Sequence, residues 1–181
     1  KTPFPTRRSS DLSDLYQWNS RRPYSSINFI TCHDGFTLAD LVSYNTKHNL
    51  GNGEKNQDGS NDNESWNCGV EGPTTNKKIA ALRERQMKNF HLALMLSLGV
   101  PMLSMGDEYG HSKKGNNNTW CQDNELNWFL WDQLESNQGF YRFYSGLIHF
   151  RKEHPFLSRL TFLTVNDIDW HGIEAFKPDW N

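Results

Sequence analysis

Ile27-Asn28-Phe29-Ile30-Thr31-Cys32-His33-Asp34-Gly35 carries the information that decides the fold. Its first six residues form a short, apolar, partly β-branched run, which predicts a buried strand. That run breaks off into His33-Asp34-Gly35. Leu38, Leu41 and Val42 then recur at i, i+3 and i+4 and predict a short amphipathic helix. The same grammar returns downstream. Val100-Pro101-Met102-Leu103-Ser104-Met105 predicts a second buried strand, with Pro101 tolerable only near its start, and it too ends in polar residues, Gly106-Asp107-Glu108.

Helices lie between and after these runs. Lys77 to Leu98 predicts a long helix with Met87, Phe90, Leu94 and Leu98 at helical spacing. Leu92 and Leu96 add a second apolar face, as expected of a helix driven into a packed interior, and Gly99 is well placed to stop it. Gly139 to Lys152 predicts another helix, with Phe140, Phe143, Tyr144, Leu147 and Phe150 on one face and His154-Pro155 ending it. The loops are long: 49–76, rich in Gly, Asn and Asp, and GHSKKGNNNTWCQDNELN over 110–127. Unstructured loops beyond about 12–15 residues are uncommon in compact domains and are usually functional or disordered; Trp66 and Cys68 argue for order in the first. Alternating strands and helices predict a parallel α/β sheet or barrel. Both strands release polar residues at their C-terminal ends, where (β/α)8 barrels keep their chemistry. Two strands neither close a barrel nor cover their own edges, so the expectation is one part of a larger domain.

The 181 residues suffice for one sizeable core, and the formal net charge of -2 argues against nucleic-acid or anionic-membrane partners held by bulk electrostatics. Aromatic residues make up 13%, seven of them tryptophan, to be divided between core packing and stacking on sugar rings. Cys32, Cys68 and Cys121 are odd in number and scattered, which suits a reducing compartment better than a disulfide framework. No apolar run is long enough to cross a membrane. Residues 1–12, KTPFPTRRSSDL, have no hydrophobic period, and Ser10-Asp11-Leu12 is repeated at once as Ser13-Asp14-Leu15. Structured sequence is expected from Ser13, with 1–12 a tail or artefact that is not a secretory signal.

His33-Asp34 is the sharpest chemical feature. An aspartate at a strand's end can orient a substrate hydroxyl, exchange a proton or stabilise positive charge; it can equally cap the helix that follows. Asp107-Glu108 poses the same choice between substrate contact and satisfying backbone donors in its own loop. Other chemistries find no support. Asp58, Ser60 and Asp62 resemble the start of a calcium loop, but Asn63 replaces its glycine and Gly69 its glutamate. The histidines lack zinc-ligand spacing, and no phosphate-binding loop motif is present.

The segment from Ser26 to Leu38, SINFITCHDGFTL, resembles the fourth signature region of the α-amylase superfamily. More narrowly it is similar to the isoamylase and bacterial glycogen-debranching branch of glycoside hydrolase family 13. The similarity continues through Asn61 to Gly69 (NDNESWNCG), Arg85 to Phe90 (RQMKNF), Met105 to Gly110 (MGDEYG) and Gly115 to Asn118 (GNNN), and covers roughly 13–181.

The resemblance implies the C-terminal portion of a (β/α)8 barrel over 13–157, with its seventh strand at Ile27 and its eighth at Val100. It further implies the start of an all-β C-terminal domain over 158–181. The implied reaction is hydrolysis of α-1,6 branch linkages in glycogen, amylopectin or limit dextrins with retention of configuration. In such enzymes a nucleophilic carboxylate and an acid/base carboxylate stand about 5–5.5 Å apart, and a third carboxylate holds sugar hydroxyls and favours the oxocarbenium-like transition state. By motif position Asp34 matches that third acid and His33 its sugar-binding neighbour. Asp107, Trp66 and Asn117 are weaker candidates for substrate contact. Neither the nucleophile nor the acid/base residue matches any position here, and Glu108 is not promoted to either role. The implied partner is a branched α-glucan, with no cofactor and no metal. The compartment would be the cytoplasm for a bacterial source and the plastid for a plant-like one. Competing expectations are a non-catalytic glucan-binding isoamylase-like subunit and a superfamily member acting on maltooligosyltrehalose.

Overall fold

A computed structural model describes residues 18–164, 166, 167, 169 and 171–177; the tail expected at 1–12 lies outside them. Strands β1 (Ile27–Asn28) and β2 (Val100–Pro101) pair in parallel, Ile27 opposite Val100 and Asn28 opposite Pro101. Their ladder is closed by Val100 N–H donating to Ser26 O and Met102 N–H to Asn28 O, both at 2.8 Å. Gly99 makes the approach possible. At its φ of +107° an added Cβ would come within 2.9 Å of Asn28 Nδ2 and 3.0 Å of Ser26 O.

The predicted parallel pairing is present, but the strands are shorter than Ile27–Cys32 and Val100–Met105 and are not buried. Ile27 is 63% and Met105 73% exposed, and Phe29, Val100, Met102 and Leu103 are exposed as well. The reason is that a strand extends only as far as a partner satisfies its backbone, and a two-stranded sheet leaves its edges uncovered.

The connection between the strands contains α1 (Leu38–Leu41) and α2 (Lys77–Leu96). Asn76 starts α2 by accepting from Lys78 N at 3.0 Å and Ile79 N at 3.4 Å, as an N-cap asparagine does. The helix stops at Ser97, just before the predicted Leu98. Its Leu94 and Met95 are buried, whereas Leu92 and Leu96 are exposed. The expected second buried face is thus open, because the described residues pack only one side of α2.

After β2 come a tight turn at Asp107–Tyr109, the loop 110–130, α3 (Trp131–Ser136) and α4 (Gln138–Glu153). The six-residue α3 is too short for a periodic pattern to announce. Phe140 and Tyr144 of α4 meet Leu38 of α1 in the core, flanked by Ile30, Met87, Phe90 and Ile148. Arg151 anchors the far end, its guanidinium donating to the carbonyls of Met95, Ser97, Gly99 and Leu157 at 2.6–2.8 Å. A cation there also complements the negative C-terminal pole of α2. Beyond Leu160 the described residues form turns and one antiparallel bridge, Glu174 to Lys177.

Candidate active site

The chain between β1 and α1 is a turn braced on both sides. Thr31, buried at its start, donates its hydroxyl to the Asp107 carboxylate. Leu38, at its end, donates its backbone N–H to the other Asp107 oxygen at 2.9 Å. Between them Gly35, at φ +91°, donates its N–H to the Asn117 carbonyl at 2.9 Å. The Cys32 thiol donates to Asp34 O at 3.2 Å. The turn is therefore held by groups from both loops that follow β2, while the two side chains at its apex are left to solvent. His33 and Asp34 are 89% and 75% exposed, with His33 Nε2 3.2 Å from Asp34 Oδ2.

The capping alternative for Asp34 is settled by α1 itself. Its N-cap is Thr37, whose Oγ1 accepts from Asp40 N at 3.2 Å. Asp34 thus keeps its carboxylate free of helix duty.

Asp107 is the opposite case. It is 2% exposed, and both oxygens serve Thr31 and Leu38. Burial, opposed by these two hydrogen bonds, pushes its carboxyl up to about 6. Glu108 closes its own turn by accepting from Gly106 N at 2.7 Å. Glu108 thus satisfies a backbone donor of its own turn, whereas the Asp107 oxygens are taken by Thr31 and Leu38 of the connection after β1.

Asn117 is also buried. Its carboxamide accepts from Asn49 Nδ2 at 2.8 Å and donates to Ser60 O at 2.8 Å and Asn63 Oδ1 at 2.6 Å. Asn49 Oδ1 in turn accepts from Asn117 N at 3.0 Å. Trp66 joins the corner through α1, its N–H donating to Leu41 O at 3.0 Å while half of its surface stays exposed. Thus His33, Asp34, Asp107 and Asn117 meet around one turn, and Trp66 stands on the loop beside it.

Several supports have no signature in the sequence. Asp40, fully buried, accepts from Ser112 Oγ at 2.5 Å and Lys113 N at 2.7 Å; burial raises its carboxyl against those bonds. The Lys113 ammonium is lowered by burial but lies in the opposing fields of Asp40, Asp107 and Asp34. Lys47 is enclosed by loop carbonyls, donating to Asp58 O at 2.8 Å and Gly59 O at 3.0 Å. The density of asparagine in 49–76 was the one available signal that this loop bonds to itself. Among the described residues no group of three or more His, Cys, Asp or Glu side chains is placed to hold a metal ion.

A parallel strand pair with helices between and after it, and a braced turn after β1 that presents His33 and Asp34, is an α/β arrangement of amylase type, and the comparisons agree on that fold. Pullulanase from Bacillus acidopullulyticus superimposes with a TM-score of 0.60 at 21% identity, over 85% of this chain and 15% of that one. Pullulanase complexed with maltotetraose from an Anoxybacillus species gives 0.55 at 24% identity, over 77% and 16%. No protein-family model matches the chain. In sequence it is 57% identical to isoamylase 3, chloroplastic, of Oryza sativa subsp. japonica, over 93% of this chain and 22% of that protein. It is 48% identical to the glycogen operon protein GlgX homolog of Mycobacterium tuberculosis, over 96% and 26%. Isoamylases and GlgX homologs are thus its relatives, at 48–57% identity across more than nine-tenths of its length. It spans about a quarter or less of the length of these relatives. No helix among the described residues is long and apolar enough to cross a membrane.

Proposed function

We propose that this chain supplies the substrate-holding corner of an enzyme that hydrolyses α-1,6 branch linkages in glycogen, amylopectin or limit dextrins. Asp34 is its third carboxylate and His33 its sugar-binding neighbour. The observation that carries the reading is the contrast at the turn: a backbone tied down by Thr31, Gly35 and Leu38, presenting two polar side chains that, among the described residues, bond only each other. A carboxylate fixed in this way can accept hydrogen bonds from two sugar hydroxyls. It also places negative charge where the ring becomes oxocarbenium-like, without reorganising at the moment of reaction. His33 adds a hydrogen bond to the same sugar.

The nucleophile and proton donor of the retaining mechanism are assigned to no residue here. Asp107 and Asn117 act through the turn rather than on the glucan, and Trp66 borders the cleft. The parallel pairing of β1 with β2 supports their placement as seventh and eighth strands of a (β/α)8 barrel, with 158–181 opening a β domain. The compartment follows lineage: plastid if plant-like, as in the chloroplastic rice relative, cytoplasm if bacterial.

The test is Asp34→Asn in the complete reading frame that contains this chain. Loss of one preorganised electrostatic contact predicts a fall in turnover of about 10²–10³ or more, with the melting temperature retained. Reducing-end release from amylopectin near the wild-type rate would remove Asp34 from its role. The isolated 181-residue chain is expected to release none.

A further inference from the structure

Beside the His33–Asp34 turn lies a second concavity to which the reading above assigns no role. It encloses about 540 Å³ and is lined by His48, Lys113, Asn116, Gln122, Asn124 and Trp128, among others, a volume in the usual range for small-molecule sites. Its wall is continuous with the active-site corner. Asn116 lines it, and the next residue, Asn117, holds Gly35 through its carbonyl. Lys113 lines it as well and lies in the field of Asp34.

The lining combines one open aromatic face and carboxamides fixed in place with the charged side chains of Lys113, Lys114 and Glu125. Trp128 is 54% exposed, and its indole N–H donates to Asp123 Oδ1 at 2.9 Å. This hydrogen bond limits how the ring can turn while leaving its π-face free. Gln122 is tied by its Nε2 to Gly51 O at 2.9 Å and to Asn52 Oδ1 at 3.0 Å. Asn124 donates to Gln122 Oε1 at 2.8 Å and accepts from Leu126 N at 2.9 Å. Asn116 donates to Asn52 Oδ1 at 2.7 Å. After these bonds Asn124 keeps one N–H and one lone pair, and the Gln122 oxygen keeps one lone pair. Preorganised amides with spare capacity beside an exposed indole suit a neutral, polyhydroxylated ring. Such a ring offers an apolar C–H face to the tryptophan and hydroxyls to the amides.

Resting on the debranching reading, we infer that this cleft is an accessory subsite for one or two glucose units of the α-glucan chain, with Trp128 the stacking platform and Gln122 and Asn124 the hydroxyl partners. The subsite binds a part of the glucan remote from the cleaved bond. Its contribution therefore appears in affinity for long chains rather than in the chemical step.

The experiment uses the complete reading frame with Trp128→Ala, Trp128→Phe and Asn124→Ala. Kinetics are measured on a branched maltodextrin, and binding of unbranched maltohexaose is measured by calorimetry. Removing one aromatic contact predicts about a tenfold rise in KM and in the maltohexaose Kd for Trp128→Ala, with kcat within about twofold. Trp128→Phe, which keeps a ring but loses the bond to Asp123, should recover most of the affinity, and Asn124→Ala should show a smaller rise. Unchanged KM and Kd in Trp128→Ala, with the parent active, would overturn the subsite while leaving the debranching reading intact. A fall in kcat and melting temperature together, without rescue by phenylalanine, would overturn it in favour of a structural role. An inactive parent that still binds maltohexaose through Trp128 would overturn the debranching reading and keep the subsite.

Discussion

Replacing Asp107 separates the two energies that this buried carboxylate balances. Asp107→Ala strands the Leu38 amide and the Thr31 hydroxyl, both in the interior. Leaving a buried donor unpaired costs about 1–3 kcal/mol each, so Asp107→Ala should lose about 2–6 kcal/mol of stability near pH 4, and about 3 kcal/mol less at pH 7, where the native carboxylate carries its own burial penalty. Asp107→Asn behaves differently, because a carboxamide can still accept from Leu38 N–H and donate to Thr31 Oγ1 while carrying no charge. Burial raises the native acid from 3.8 to about 6 in the folded state, a gap worth about 3 kcal/mol against the ionised form at pH 7. The direction follows from proton binding: the folded state holds this proton more tightly than the unfolded one. The penalty is therefore absent below pH 3.8, develops between 3.8 and about 6, and is complete above that. Asp107→Asn mimics the protonated acid, so it should match the native protein near pH 4 and exceed it by up to about 3 kcal/mol at pH 7. Urea unfolding of the complete protein at both pH values measures this, and the difference between variants cancels other titrations. Amide exchange at Leu38 adds a local readout, fast in Asp107→Ala and slow in Asp107→Asn. A native-to-Asn difference independent of pH, or an Asp107→Ala variant as stable as native near pH 4, would refute the reasoning.

Three further outcomes are expected. Burial alone would raise the Glu71 carboxyl, but hydrogen bonds from Asn45 N, Asn67, Thr46 N and His48 outweigh it and hold it at about 2. The stabilisation it gives is present above 4.5 and is lost as pH falls toward about 2. Glu71→Gln should flatten that part of the acid unfolding curve, as followed by circular dichroism. Gly59, at φ +71°, sits where a Cβ would collide with Asn117 Oδ1 and come within 2.8 Å of Asn49 Nδ2. Gly59→Ala should cost about 1–3 kcal/mol and lower turnover through the loosened Gly35 anchor, readable in urea midpoints and reducing-end release. Thr37→Ala removes the α1 cap and should cost about 1 kcal/mol, measured as the midpoint shift.

What could be read in advance divides along local and non-local lines. The existence and parallel pairing of β1 and β2 followed from two apolar runs with polar ends, separated by a helix. Their length and exposure did not, because a strand's extent belongs to its neighbours, and the apolar residues Phe29, Met102 and Met105 are left exposed by the described residues. His33 and Asp34 stood out because strand end, polar pair and glycine are adjacent in sequence. Their frame did not stand out. Thr31 reaches Asp107, Asn49 reaches Asn117 and Asp40 reaches Ser112 across spans that no periodicity encodes. The order of 49–76 was expected on account of Trp66 and Cys68. The structure buries Cys68, ties Trp66 N to Leu41 O, and adds asparagines that bond both within the loop and to the loop after β2.

Asp34, Asp40 and Asp107 show why residue type at a strand end is not sufficient to assign chemistry. All three sit at the same corner, and each could in principle hold a sugar hydroxyl. Asp40 and Asp107 have instead given their oxygens to Ser112, Lys113, Thr31 and Leu38, and burial favours their neutral forms. Recruiting either to substrate would leave buried donors unpaired, at a cost comparable to the hydrogen bond gained. Asp34 has no such obligation, since Thr37 caps the helix that it might have capped. In the function proposed above, the carboxylate left for chemistry is the one whose structural work has been taken over by its neighbours, and the rigidity that the other two impose would keep its position fixed when substrate arrives.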